Sequence, residues 1–203
     1  MSISYHLGDL PSGLDLGPVV AVDSETMGLN LHRDRLCVLQ LSSGDGTAHV
    51  VHFPEPRYDA PNLKRLFADP GVVKLFHYAR FDVAMIRRHL GVRCEPVWCT
   101  KIASKLVRTN TDRHGLKDLC RDLVGVDLSK QQQTSDWGAA ELTPEQLNYA
   151  ASDVLYLHQI KAKMEALLDR EGRRELAEAC FRFLPDRAEL DLAGWAEEDI
   201  FTH

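Results

Sequence analysis

What is scarce in this chain bounds it before any motif does. None of its 203 residues falls in a stretch approaching the roughly 20 consecutive apolar residues that span a bilayer, so no membrane is expected among its partners. The N-terminus, MSISYHLGDLPSG, has no basic segment leading into an apolar one, which argues against a secretory leader and for a cytoplasmic protein. The five cysteines, Cys37, Cys94, Cys99, Cys120 and Cys180, include no C-x-x-C. An odd number without that spacing argues against a disulfide framework and a zinc knuckle, and fits a reducing cytosol. Their simpler role is as small buried hydrophobes. Internal repeats, low-complexity tracts and long linkers are also missing, which leaves one domain with a substantial core.

Positive charge is the other shortage. Twenty-four Lys and Arg against 30 Asp and Glu leave a net charge of −6, whereas a protein that grips long nucleic-acid duplexes usually carries a basic surplus. Either nucleic acid is not the ligand, or the ligand is short and held by a local cationic pocket together with metal. A short strand offers few phosphates, so counterion release contributes little affinity in any case.

What is present reads as an α/β chain. Val19–Val22 is a short β-branched apolar run, predicted as a buried strand ending at Asp23. RLCVLQLSS (35–43) and TAHVVHF (47–53) are two further strands, with Gly44-Asp45-Gly46 as the hairpin signal between them. Leu63–Ala68 is helical, VVKLFHY (72–78) is a fourth strand, and Arg80–Leu90 is an amphipathic helix stopped by Gly91. Helical spacing recurs over Lys101–Val107 and Leu116–Val124. Thr143-Pro144-Glu145-Gln146 is a strong helix start, predicted to open a helix running to about Leu168. A last helix spans about Arg170–Phe183, before Pro185. The expected organisation is an N-terminal segment (1–18), one domain with a mixed sheet first and helices after (19–184), and an acidic tail (185–203) whose Trp195, Ile200 and Phe201 give it something to dock with.

Four carboxylates and a tyrosine stand out in three separated stretches: Asp23 and Glu25 in VVAVDSET, Asp82 in LFHYARFD, and Tyr149 with Asp153 in QLNYAASDVLYL. Each acid sits at the edge of an apolar or helix-forming run, where it is costly unless something cationic compensates it. Asp23 and Glu25, two apart on a strand, project to one face; Tyr149 and Asp153, four apart on a helix, stack on one face. Three segments can thus meet at the carboxyl ends of strands, a usual place for α/β active sites. Four oxygen-donor side chains suit a pair of magnesium or manganese ions, and two such ions can bind the attacking and leaving oxygens of a phosphoryl displacement. A tyrosine hydroxyl beside them can orient the attacking water or help take its proton. Singly, the parts stay open: D-x-E arises by chance among 30 acids, Tyr149 and Asp153 fit a solvated helix face, and Asp82 fits an N-cap.

The combination is specific. VDSETMGL, HYARFD, and LSKQQQTSDW followed by LTPEQLNYAASDVLYL resemble the three motifs of the DEDD 3′–5′ exonuclease superfamily, over about Val19 to Met164. The tyrosine branch, that of ribonuclease D, is indicated: the sister branch places a histidine five residues before the last aspartate, and that position here is Asn148. The resemblance implies a ribonuclease H-like mixed sheet flanked by helices. It further implies Asp23, Glu25, Asp82 and Asp153 as ligands for two ions, Mg2+ or Mn2+, and Tyr149 as the residue that positions the water. The chain has no room for ribonuclease D's C-terminal helical domains, and its shortness is similar to the nanoRNase C type. That likeness implies a homo-oligomer, an octamer, clearing very short RNA and dinucleotides in particular. One departure is Tyr78, where many relatives have Asn after the histidine; it is expected to alter packing without abolishing metal binding.

Candidate substrate contacts follow from position. Met27, Gly28, Leu29 and Leu31 come directly after the first motif: the glycine permits close backbone approach, and the apolar side chains can wedge between bases. His77 and Phe81 flank Asp82, where an aromatic can stack on a base. Arg108 and Lys117 lie in the densest cationic region, with Lys101, Arg113 and His114, and could cap a terminal phosphate; a solvated helix face is the plainer alternative. Lys130, Gln133, Ser135, Asp136 and Trp137 match the family's K-x-x-Q-x-S-D-W pattern, as support for the site. The expected activity is release of nucleoside 5′-monophosphates from short oligoribonucleotides. Broader trimming of structured RNA and a non-catalytic RNA-binding module are the alternatives. Short DNA also stays open, because no residue can be named from sequence as the reader of a 2′-hydroxyl.

Overall fold

The strands are β1 (Ser2–Leu7), β2 (Val19–Thr26), β3 (Leu36–Ser42), β4 (Thr47–His52), β5 (Val73–Phe76) and β6 (Val97–Cys99). They form one mixed sheet in the order β1-β4-β3-β2-β5-β6, antiparallel at β2–β3 and β3–β4 and parallel at the other three junctions. The computed structural model describes residues 2–129 and 131–202. Its helices are α1 (Pro61–Ala68), α2 (Ala79–Leu90), α3 (Thr100–Val107), α4 (Leu116–Leu119), α5 (Pro144–Leu155), α6 (Leu157–Arg170) and α7 (Arg174–Leu190). A π-helical turn, Cys120–Val124, continues α4, and another, Asp191–Trp195, continues α7. None of these helices is long and apolar enough to cross a membrane.

Strand β3 is buried along its whole length, and its alternation sorts the two layers. Leu39 and Leu41 join the main core with Phe67, Val83 and Ile86, whereas Val38 joins a second cluster with Val50, Trp137 and Ala150 of α5. The sheet is thus covered on both faces. This is the expected α/β class: a mixed sheet flanked by helices.

Several boundaries move. Strand β2 does not end at Asp23 but runs on to Thr26, with a register shift at Glu25/Thr26; the apolar run marks only the part buried on both faces. Residues 2–7, set apart in the predicted N-terminal segment, form edge strand β1 beside β4. Its partner lies more than 40 residues away, which no local pattern reveals. Strand β6 has only three residues, too few for a period to show. The long helix predicted from Thr143 to about Leu168 is broken at Tyr156 (φ −105°, ψ −4°), although apolar spacing continues across the break. The last helix does not stop before Pro185: the proline is buried inside α7. A mid-helix proline loses one backbone hydrogen bond, and burial with Phe181, Leu184 and Ala188 offsets that loss. The boundary at 184/185 therefore falls inside a helix. The first part of the predicted tail packs on its own chain, where Arg80 grips Asp191 with two nitrogens at 2.6 and 2.8 Å and donates to the carbonyl of Ala196.

Candidate active site

Strand β2 leaves the core as it reaches the site: Val20, Ala21 and Val22 are fully buried, and the next residues are half-buried. Asp23 and Glu25 thus share the α5 face, as the two-residue period requires. Helix α5 is fixed from its first turn by a reciprocal cap. Thr143 Oγ1 accepts from the Gln146 backbone N–H at 3.2 Å, and the Gln146 side chain accepts from the Thr143 N–H at 2.9 Å. The Gln146 amide also donates to Ser135 Oγ and the Asp136 carbonyl, at 3.0 Å each. The helix start is thereby tied to the loop that carries Trp137. Tyr149 and Asp153 follow at one-turn spacing. Asp82 comes from the first turn of α2, after Tyr78 turns the chain with a left-handed φ of 69°, and it accepts a 2.5 Å hydrogen bond from Ser24 Oγ.

One carboxylate oxygen from each of Asp23, Glu25 and Asp153 lies within 4.8 Å of the others. Asp82, buried, lines the same cleft of about 650 Å³. Burial raises every one of these acids, and like-charge neighbours add to it at Asp23, Glu25 and Asp153. Burial, then Asp82, Asp153 and Glu25, holds Asp23 well above the carboxylate range; burial, then Asp153 and Asp82, does the same to Glu25. Burial pushes Asp82 and Asp153 to about 7, partly countered by the Ser24 hydroxyl at Asp82 and the Tyr149 hydroxyl at Asp153. Burial, then Asp153, Glu25 and Asp23, raises the Tyr149 phenol. Among the described residues no lysine or arginine forms an ion pair with any of the four acids. A converging set of hard oxygen donors without a protein counterion is what a small divalent cation accepts.

The cleft also gathers Met27, Gly28, Leu29, His77, Phe81, Lys117, Gln133 and Trp137. Leu29 is 82% exposed and Met27 51%, so both offer apolar surface to a ligand. Gly28 has a reason closer to home: a Cβ there would stand 2.4 Å from Asp34 Oδ2, in a turn that Asp34 closes by accepting from the Asn30 N–H. His77 Nδ1 lies 2.8 Å from Thr100 Oγ1. Burial and the neighbouring Lys101 push its pKa down to about 3, so the imidazole is neutral at physiological pH. Trp137 is almost fully buried, with its ring 6.0 Å from that of Tyr149, a buttress for the tyrosine.

Two expected contacts fall elsewhere. Leu31 lines a neighbouring cavity of about 540 Å³, which shares Leu29, Tyr78 and Phe81 with the cleft. Arg108 is turned away and neutralised: it donates to Asp122 Oδ2 at 2.5 Å and to the Arg113 carbonyl at 3.2 Å. Counting basic residues along the chain could not reveal that partner on the following π-helical turn. Lys130 lies outside the described residues. One contributor was not anticipated. Ser24 stands between the two acids of D-S-E, and its place on the opposite strand face was the available signal. Lys101 does reach the cleft, but through Tyr78: its Nζ sits 4.0 Å above that half-exposed ring.

Known proteins are similar to this chain in sequence and fold. The family model described as 3′–5′ exonuclease matches residues 4–169. Ribonuclease D of Granulibacter bethesdensis is 32% identical over 170 residues, which are 84% of this chain and 42% of that protein. The chain thus spans about two-fifths of the length of the curated ribonuclease D relatives it matches. Brucella melitensis NrnC with bound Mg2+ superposes with a TM-score of 0.96 at 54% identity, over 100% of both chains. The same protein bound to pGG gives 0.97 at 55%, over 100% of this chain and 99% of that one. Escherichia coli RNase D, an exoribonuclease involved in structured RNA processing, gives 0.73 at 25%, over 85% of this chain and 45% of that one. The ribonuclease H-like exonuclease fold is therefore present as a single domain. The protein belongs to the 3′–5′ exonuclease family and is ribonuclease D-like.

Proposed function

We propose that the chain hydrolyses short oligoribonucleotides, dinucleotides foremost, from the 3′ end to nucleoside 5′-monophosphates. Asp23, Glu25, Asp82 and Asp153 would hold two divalent cations, Mg2+ or Mn2+. The observation that carries this reading is the convergence of three carboxylates within 4.8 Å in a cleft of about 650 Å³, on a chain of net charge −6. When bound, two such ions lower the pKa of a water and offset charge on the departing 3′ oxygen. The chain's own residues do the rest. Tyr149, beside Asp153 and braced by Trp137, keeps its proton and orients the attacking water. Neutral His77, fixed through Nδ1 to Thr100, leaves its other ring nitrogen for the substrate backbone. Leu29 supplies an apolar wedge against a base.

The cationic cap for a terminal phosphate keeps Lys117 and takes Lys101 in place of Arg108, both lysines lining the cleft. A dinucleotide presents few phosphates, so two lysines and the ions suffice where a long duplex would need a basic face. The pGG bound to the Brucella protein supports a short substrate for this chain. Exposed Leu7, Trp195, Ile200 and Phe201 support a homo-oligomer in which the end of the tail docks on a neighbouring subunit; size-exclusion chromatography with light scattering would read that directly. A cytoplasmic setting accords with this substrate and with five unpaired cysteines.

The decisive measurement is a length profile in Mg2+: a 5′-phosphorylated dinucleotide, its deoxy counterpart, a seven-mer and a structured RNA. The ribodinucleotide should show the highest kcat/KM, by at least about tenfold, or ~1.4 kcal/mol of transition-state binding. Equal turnover of structured RNA would favour the broader trimming activity, and no release of mononucleotide from any of them would sink the hydrolytic reading.

A further inference from the structure

Beneath α5 lies a buried amide that neither the fold nor the chemistry above explains. Gln40, on β3, is fully buried, and neither its Oε1 nor its Nε2 has a hydrogen-bond partner. Among the described residues it is the one side chain with both a donor and an acceptor in that condition. Leaving such groups unmade carries their full desolvation cost. The chain satisfies comparable groups elsewhere. Gln146, also buried, uses its amide nitrogen twice and its oxygen once. Lys74, fully buried, is held by the carbonyls of Asp69 and Glu95. On the same strand and face as Gln40, Ser42 donates to the Thr47 carbonyl and accepts from the Gly44 N–H. A leucine at position 40 would have fitted the surrounding apolar layer without that cost.

The sheet register shows what the amide is near. Gln40 is the direct cross-strand partner of Asp23 on one side and of Val50 on the other. Directly opposed residues share a face, with Cβ atoms about 4.5–5.5 Å apart. The Gln40 carboxamide therefore leaves the sheet beside the Asp23 carboxylate, in the layer that α5 covers. It is the amide side chain placed to reach Asp23 from inside the core rather than from the cleft. Terminal amide torsions are broad, so its nitrogen can turn to the carboxylate at little cost.

We infer that Gln40 is a positioning residue for Asp23, its carboxamide hydrogen-bonding that carboxylate, directly or through one buried water, while the carboxylate holds a divalent cation. The inference rests on the metal-site reading above and deepens it: the donor fixes one carboxylate oxygen, so the other faces the cleft. Hydrogen bonds behind a metal ligand typically change metal affinity by 10- to 100-fold.

The test compares wild type with Gln40→Met, which keeps the volume and removes both polar atoms. Unliganded melting temperature in chelator and Mn2+ dissociation constant by calorimetry are read on each. The expected result is an unliganded melting temperature unchanged or raised, since an orphaned amide is gone, together with Mn2+ binding weakened by about tenfold or more. Mn2+ affinity within twofold of wild type overturns the inference and leaves Gln40 as a tolerated core polar group. Should the methionine variant fail to fold, Gln40→Leu is read by the same criterion. As a measurement that needs no variant, the Gln40 side-chain amide proton resonances of the wild-type protein should shift on Mg2+ addition; no shift overturns the inference. A wild-type chain that itself shows no metal-dependent stabilisation overturns the metal reading, and this inference with it.

Discussion

Single residues carry the chemistry here, and their types were readable because acids in apolar settings are expensive. Asp23, Glu25 and Asp153 meet within 4.8 Å; the strand period puts the first two on one face, and the packing of α5 on that face brings the third. Ser24 and Arg108 show where such reading fails. Both are defined by a partner on another element, Asp82 for the serine and Asp122 for the arginine, and no local pattern names a partner. Two substitutions separate roles within the acid set. Asp153→Asn should lose exonuclease activity by orders of magnitude, while its melting temperature in chelator rises, because one member of a mutually repelling group is gone. Tyr149→Phe should be milder if the hydroxyl only orients water, with kcat down by less than about 10²-fold. A loss as deep as that of Asp153→Asn would instead assign the tyrosine a proton-transfer role. Steady-state rates and thermal melts on the same preparations decide both.

Elements place those residues, and they were legible in proportion to how much local signal each carried. Helix α2 ends at Gly91 in a left-handed C-cap with φ of 69°, as its sequence predicted, because only a residue without Cβ takes that conformation easily. Strands β1 and β6 were not legible: one is an edge strand paired at long range and the other has three residues. Pro185 misled for a different reason, since burial of its ring inside α7 outweighs the local rule. The cap of α5 is the element-scale feature closest to function, because that helix carries both Tyr149 and Asp153. Removing the Thr143 hydroxyl frees the Gln146 N–H and loosens the helix start. Thr143→Ala should cost about 1 kcal/mol of stability, read as a lower urea midpoint with unchanged slope. It should also lower kcat, because the first turn of α5 sets where the last two site residues stand. A stability loss with kcat intact would show that packing against Val38 and Val50 alone holds the helix.

At the scale of the whole molecule, the negative charge that first looked wrong for a nuclease becomes part of its working state. Two divalent cations would offset four of the six surplus negative charges, and they would do so where the acids are densest. Without them the site opposes folding in a pH-dependent way whose sign is fixed. Asp82 and Asp153 keep protons up to about 7 in the folded chain, against an ordinary value of 3.8, and Asp23 and Glu25 shift in the same direction. Between those limits the folded state binds more protons than the unfolded one. The stabilising contribution is therefore full below about pH 4 and is lost as pH rises through about 7. In chelator, the melting temperature should thus fall between about pH 5 and about pH 8. Asp153→Asn, with one fewer shifted acid, should show a shallower fall. Saturating Mn2+ should reverse the trend in the wild type, because the cation binds the deprotonated acids and competes with protons at low pH. Melting curves across that range, with and without metal, test all three slopes together. A flat wild-type profile in chelator would mean that the four acids are compensated by something within the protein, and the two-cation reading would lose its electrostatic basis.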